Sequence, residues 1–166
     1  MGQVVITTKI GVMSKESKTQ QENVLRLDQF WPYQVTVLAD RVARRTGKIA
    51  KEYGLNLSQW RVLAAVAEVP GRTSMDVVTI TPMDKGIVSR ATKALLEMGL
   101  VRREASQSDG RISHLHLTPE GDTLYQTLIP QIAAVLQLGA TGLSDTALAQ
   151  LSQDLKHLIA TLPDSR

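Results

Sequence analysis

At 166 residues, with 43% hydrophobic and 21% charged side chains, the chain fits one ordinary compact domain, or a small domain carrying an oligomerisation extension. It has no cysteine, which excludes disulfides, thiolate zinc sites and cysteine-based redox sensing. The net charge of +3 is modest but lopsided, with +4 on residues 1–53, +2 on 54–118 and −3 on 119–166, a basic front that suits one face presented to nucleic acid.

Residues 1–23 show no strong period and are rich in Lys, Ser, Thr and Gln, which predicts a loose N-terminal arm. They lack the long apolar core of a signal peptide, and Ile6 stands where a myristoylation pattern needs Ser or Thr. No apolar run is long enough to span a bilayer, so the expectation is a cytoplasmic protein with no membrane partner. Phe30-Trp31-Pro32-Tyr33 gathers three of the six aromatics at a predicted helix start. Val35, Leu38, Val42, Ile49 and Tyr53 then form the apolar stripe of a long helix ending at Gly54, while Arg41, Arg44, Arg45, Lys48 and Lys51 crowd its other faces.

Leu55–Val69 reads as a second helix starting after Ser58 and burying Val62, Leu63, Val66 and Ala67. Pro70-Gly71 stops it, and Thr73 or Ser74 caps a short helix over Met75–Ile80. Thr81 with Pro82 predicts the start of a fourth helix, over about 82–98, closed by Gly99. Ile87, Ala91, Ala94, Leu95 and Met98 recur at inward spacing, leaving Lys85, Ser89, Arg90, Thr92 and Lys93 outside. Leu100–Arg103 and Arg111–Leu117 read as paired strands around the polar turn Ser106–Gly110. A long helix over Thr118–Leu138 follows, carrying Leu124, Leu128, Ile132, Val135 and Leu136 and bent at Pro130. After a break at Gly139–Gly142, Ser144 caps a last helix whose Leu148, Leu151, Leu155, Leu158, Ile159 and Leu162 make a dense apolar face. A short polar-faced helix followed by a hairpin is the layout of a winged helix, in which the helix enters a DNA major groove and the hairpin an adjacent minor groove.

Four local matches give this layout a family. Leu57-Ser58-Gln59-Trp60-Arg61-Val62-Leu63 resembles the "LT-x-x-Q-x-x-VL" entry to the second helix of the multiple-antibiotic-resistance regulators (MarR), with Ser and a shifted Gln as departures. Val88-Ser89-Arg90 and Gly99-Leu100-Val101-x-Arg103 resemble that family's recognition helix and first wing strand. Asp109-Gly110-Arg111 resembles the wing's D-x-R, and Leu117-Thr118-x-x-Gly121 the entry to the next helix.

The resemblance implies a mostly α fold with a small β-hairpin wing (α+β), that is, a winged helix-turn-helix lobe plus a helical dimerisation region. The expected divisions are an arm at 1–23, a dimerisation helix at 24–54, a DNA-binding lobe at 55–118 with its wing at about 100–117, and C-terminal dimerisation helices at 119–166. A homodimer follows also from burial, because the first and last helices are too apolar along one side to stand alone. Two recognition helices on a two-fold axis read a pseudo-palindromic operator in double-stranded DNA. Arg90 and Lys93 lead the candidate DNA contacts, supported by Lys85, Ser89 and Thr92, with Arg72 and Ser74 as candidate phosphate contacts. Arg111 either enters the minor groove or is held by Asp109, which is expected to brace the wing.

Effectors of the resembled family lodge between the dimerisation helices and the winged lobe. Phe30, Trp31 and Tyr33 with Trp60 either line such a cleft, for a small planar aromatic effector such as an aromatic acid, or pack as plain core. His114 and His116 share a strand face, but with no third ligand they are read as exposed wing residues rather than a metal pair. No hydrolase, zinc-protease, phosphate-loop or dinucleotide pattern occurs, so neither an enzyme nor a cofactor is expected. The expected function is a ligand-released repressor. The alternatives are a ligand-independent or architectural DNA-binding protein, and a non-DNA ligand-binding protein or enzyme on the same fold.

Overall fold

The computed structural model describes residues 24–106, 109, 112–137 and 142–162. The chain divides into two compact units, one up to Asp40 and one from Arg41 onward. In the first, a turn around residues 27–29 leads into helix α1 (Trp31–Glu52), whose opening residues leave Phe30, Trp31 and Tyr33 exposed.

The second unit begins within α1, where Thr46 and Ala50 are buried on one side. Arg41, Arg44, Arg45, Lys48 and Lys51 are exposed on the other. Gly54, at φ +77°, turns the chain as its position after the stripe predicts. Helix α2 (Leu57–Glu68) starts a residue before Ser58, because Asn56 caps it. The Asn56 side chain accepts from the Gln59 N–H at 2.9 Å, and Gln59 returns an acceptor to the Asn56 N–H at 2.7 Å. Asn accepts at this position as well as Ser does, and Asn56, unlike Ser58, has a reciprocal partner three residues on.

Helix α3 (Ser74–Ile80) is capped by Thr73, one of the two predicted residues, through a second reciprocal pair with Asp76. Helix α4 (Lys85–Glu97) starts three residues later than Thr81 and Pro82 predicted. Thr81 ends α3 instead, its hydroxyl donating to the Val77 carbonyl at 2.6 Å, and Asp84 takes the cap by accepting from the Ile87 N–H at 2.7 Å. Met83 is buried in the turn between them.

Strands β1 (Val101–Ala105) and β2 (Ser113–Leu117) pair antiparallel, with Val101 opposite Leu117 and Glu104 opposite His114. β1 starts one residue and ends two residues later than predicted, whereas β2 starts two residues later and ends at the predicted Leu117. The other edge of β2 receives the α2–α3 connection. The Gly71 N–H donates to the Leu115 carbonyl at 2.9 Å, the Leu115 N–H to the Arg72 carbonyl at 2.9 Å, and Thr73 bridges His114. The wing is thereby tied to the start of α3.

Helix α5 (Pro119–Gln137) keeps Pro130 inside it, as expected, and buries Leu128 and Ile132. The side chains of Val135 and Leu136 lie outside the described residues. Ser144 caps α6 (Asp145–Thr161), which buries none of its residues. The core joins Val62, Leu63 and Val66 of α2, Val77 of α3, Val88 and Leu95 of α4, Val101, Leu115 and Leu128. Burial of such side chains contributes about 1.5–3 kcal/mol each and fixes how α3, α4 and the wing meet. Among the described residues, no helix is long and apolar enough to cross a membrane.

Candidate nucleic-acid interface

Helix α4 separates its two faces cleanly. Val88, Ala91, Thr92 and Leu95 are buried, while Lys85, Gly86, Ser89, Arg90 and Lys93 are exposed in a run of i, i+1, i+4, i+5 and i+8. At 100° per residue that run occupies one continuous side of the helix. The structure therefore brings together four predicted DNA contacts, Lys85, Ser89, Arg90 and Lys93.

Thr92 is a correction. It is fully buried, and its hydroxyl has no hydrogen-bond partner. The period that placed it outside had counted Met98 as inward, but Met98 is exposed; Val88 is the residue that packs in. Arg90 folds back along the helix until its Nη1 lies 3.3 Å from where a Cβ on Gly86 would sit, and Asp84 Oδ1 approaches the same point at 3.2 Å. Lys93 lies 3.8 Å from Glu97, with both side chains mostly in solvent, an ion pair that leaves the lysine available.

Arg72 is the second correction. Its guanidinium donates to the Ala65 carbonyl at 2.7 Å and to Glu68 at 2.6 Å, and only 16% of its side chain is exposed. It closes the C-terminal end of α2 rather than reaching outward, because the pairing of the 71–73 segment with β2 turns it back. Ser74 is half-buried at the first position of α3. With Met75, Lys85 and Ser113 it lines a groove of about 440 Å³ between α3, the start of α4 and the wing. Arg103, on β1, faces the same groove. Sequence reasoning used Arg103 as a family match without giving it a role; the alternation of Arg102 and Arg103 on an exposed strand was the available signal.

The histidine pair is the third correction. His114 and His116 are half-buried, not exposed. His114 Nδ1 lies 2.7 Å from the Gly71 carbonyl, which can only accept, so that nitrogen carries the proton. His116 Nε2 stands 3.7 Å from Glu104, whose carboxyl is held below the usual range chiefly by the Arg102 guanidinium at 2.9 Å. Asp76 is also held low, first by the Thr73 N–H, then by the Thr73 hydroxyl, against a small opposing effect of burial. His114, through Gly71 and Thr73, fastens the wing to the start of α3, while the Glu104 contacts tie the two wing strands to each other.

At the wing tip the Asp109 carbonyl accepts from the Ile112 N–H at 2.9 Å. Arg111 lies outside the described residues, and with it the predicted pairing to Asp109. Phe30, Trp31 and Tyr33 belong to the unit ending at Asp40. Trp60 belongs to the other unit, is buried there, and stacks on Tyr125 with ring centroids 5.8 Å apart.

Residues 53–112, which span α2 through the wing, match the family model described as MarR family. The chain is 27% identical over 121 residues to the HTH-type transcriptional regulator MgrA of Staphylococcus aureus, covering 73% of this chain and 81% of that protein. Among solved structures, it is similar to a mutant MarR from E. coli complexed with operator DNA (TM-score 0.66, 20% identity, 78% of this chain and 91% of that one). It is similar also to CouR of Rhodococcus jostii RHA1 bound to p-coumaroyl-CoA (TM-score 0.73, 20% identity, 85% and 100%). With their winged helix-turn-helix and the cationic face of α4, residues 53–112 form a MarR family domain, and the chain around it is similar to transcriptional regulators that carry such a domain.

Proposed function

We propose that the protein is a homodimeric repressor that binds a pseudo-palindromic operator and is released by a small aromatic effector, an aromatic acid in particular. The observation that carries the DNA contact is the exposed side of α4, where Lys85, Ser89, Arg90 and Lys93 project opposite a wholly buried side. A helix of this form inserts into the major groove, with Arg90 and Lys93 reaching base edges or phosphate and Lys85 and Ser89 in support. Ser74 and Arg103, which line the groove beside Lys85, add phosphate contacts, and Arg111 supplies the wing's contact, with Asp109 bracing it.

The homodimer is supported by α6, which leaves Leu151 and Ile159 exposed, together with Leu162 at its C-terminal cap. Two copies on a two-fold axis then read half-sites about one helical turn apart. An effector is supported by the likeness to a regulator solved with p-coumaroyl-CoA, which carries an aromatic ring. Phe30, Trp31, Tyr33 and Trp60 remain the candidate effector residues, and the cytoplasm is the compartment this role requires.

The deciding experiment measures binding to the DNA flanking the protein's own gene across a salt series, with and without a panel of aromatic acids. Tight, salt-sensitive binding that one compound releases is the expected result. Tight binding that no compound alters would replace the ligand-released repressor by a ligand-independent DNA-binding protein. No specific binding by a folded dimer would overturn the reading.

A further inference from the structure

Gly86 stands in the first turn of α4, on its exposed side, between Lys85 and the Ser89–Arg90 pair. Nothing in the fold requires a glycine there. Its φ is negative, unlike that of Gly54, so any residue could adopt its backbone conformation. A Cβ at 86 would meet the ends of two side chains, Asp84 Oδ1 at 3.2 Å and Arg90 Nη1 at 3.3 Å. Both side chains are exposed and can give by a few tenths of an ångström. The Asp84 cap bond to Ile87, at 2.7 Å, has room to lengthen by that much. Alanine is also the better helix former. The reason for a glycine on this side of the helix therefore lies in what must come close to it.

In the free protein, what comes close is Arg90. Side chains on a helix lean toward its N-terminus, over the residue four positions back. For Arg90 that residue is Gly86, and the guanidinium borders the space that a side chain there would fill. It has no hydrogen-bond or ion-pair partner among the described residues, so its fork is open to a ligand. The first turn of a recognition helix is the part that reaches base edges. With no side chain at 86, the guanidinium lies along the helix there, and the backbone can approach the floor of the groove. Asp84 decides which acceptor fits. Its Oδ1 and the Arg90 Nη1 both lie within 3.3 Å of one point, so a phosphate held by the fork would face a carboxylate. A base edge carries no net charge, and the acceptor pair that matches a guanidinium is O6 and N7 of guanine.

We propose that Gly86 is a positioning residue for DNA specificity, letting Arg90 read one guanine in each operator half-site from the first turn of α4. The inference rests on the operator-binding reading, to which it adds a base and the position that gives Arg90 access to it.

The full chain, Gly86→Ala and Arg90→Ala are compared on the duplex that the parent selects from a random-sequence library. Each guanine of that duplex is replaced in turn by 7-deazaguanine, which lacks the N7 acceptor. One replacement per half-site is expected to weaken the parent about fivefold and to cost Arg90→Ala nothing. Gly86→Ala should bind the unmodified duplex about fivefold more weakly and lose its sensitivity to that same replacement, while melting at the parent's temperature or above. A Gly86→Ala variant that melts lower makes the glycine a requirement of folding and overturns the proposal. So does a Gly86→Ala variant that keeps the parent's sensitivity, or a parent indifferent to every replacement; each of these leaves the operator-binding reading standing. A library that yields no enriched duplex sinks that reading and the proposal with it.

Discussion

At Gly121 a single missing side chain decides whether the lobe closes. The first turn of α5 approaches β1 so closely that a Cβ there would lie 1.9 Å from the Leu100 carbonyl oxygen. The Thr118 hydroxyl donates to the Gly99 carbonyl at 2.6 Å and accepts from the Gly121 N–H at 3.0 Å, which locks the same junction. Gly121→Ala must push backbone against backbone, so it is expected to lower stability by about 2 kcal/mol or more, read as a shift in the urea midpoint. Thr92 makes the opposite case. Its buried hydroxyl lacks a partner, so Thr92→Val removes an unsatisfied group at nearly constant volume. It should leave stability unchanged or raise it by about 1 kcal/mol, and it should leave duplex affinity intact. Arg90→Ala is expected to weaken operator binding at least about tenfold at unchanged melting temperature. Normal binding by Arg90→Ala, together with lost binding by Thr92→Val, would reverse the assignment of faces on α4.

At the scale of elements, the caps and the wing's fastening carry the prediction. Asp76 closes the Thr73 capping box, and its carboxyl is held below the ordinary value of 3.8 mainly by the Thr73 N–H. A carboxylate depressed in the folded state stabilises above its unfolded pKa, and the contribution is lost as the pH falls through the lowered native value. Asp76→Asn imitates the protonated form. It should therefore be less stable than the parent at about pH 6, with the difference shrinking as the pH falls below about 3.8. Urea unfolding at several pH values checks this, and a gap that stays constant down to acid pH would exclude the capping carboxylate as its source. Because Thr73 also bridges His114 on β2, loosening the cap should free the wing, seen as faster amide exchange at Leu115 than at Leu63.

At the scale of the molecule, α6 needs cover. None of its residues is buried and Ile159 is 77% exposed, an unusual surface for an amphipathic helix standing in water. If two copies cover these faces, Leu151→Glu with Ile159→Glu should convert the sedimenting species from dimer to monomer. Operator affinity should then fall steeply, because each half-site would be bound alone. A double variant that still sediments as a dimer would move the interface elsewhere.

Much of this protein was determined by its sequence alone. The order of helices and strands, the glycine that ends α1, the Ser144 cap and the cationic stripe of α4 are local features, set by periodicity and by residues with particular backbone preferences. They were legible because each depends on neighbours a few positions away. The tertiary structure decided what depends on distant partners. Competition among acceptors gave the caps to Asn56 and Asp84 rather than to Ser58 and Thr81. Packing of α4 against the core, not its period, drew Thr92 inside and left Met98 out. Pairing of the 71–73 segment with β2 turned Arg72 toward Glu68 and half-buried the histidines. Trp60 and Tyr125 are 65 positions apart in the sequence, and only folding stacks them beside Arg61. Burial is a property of the whole packed lobe, so a side chain's period can say which face it lies on but not what will cover that face.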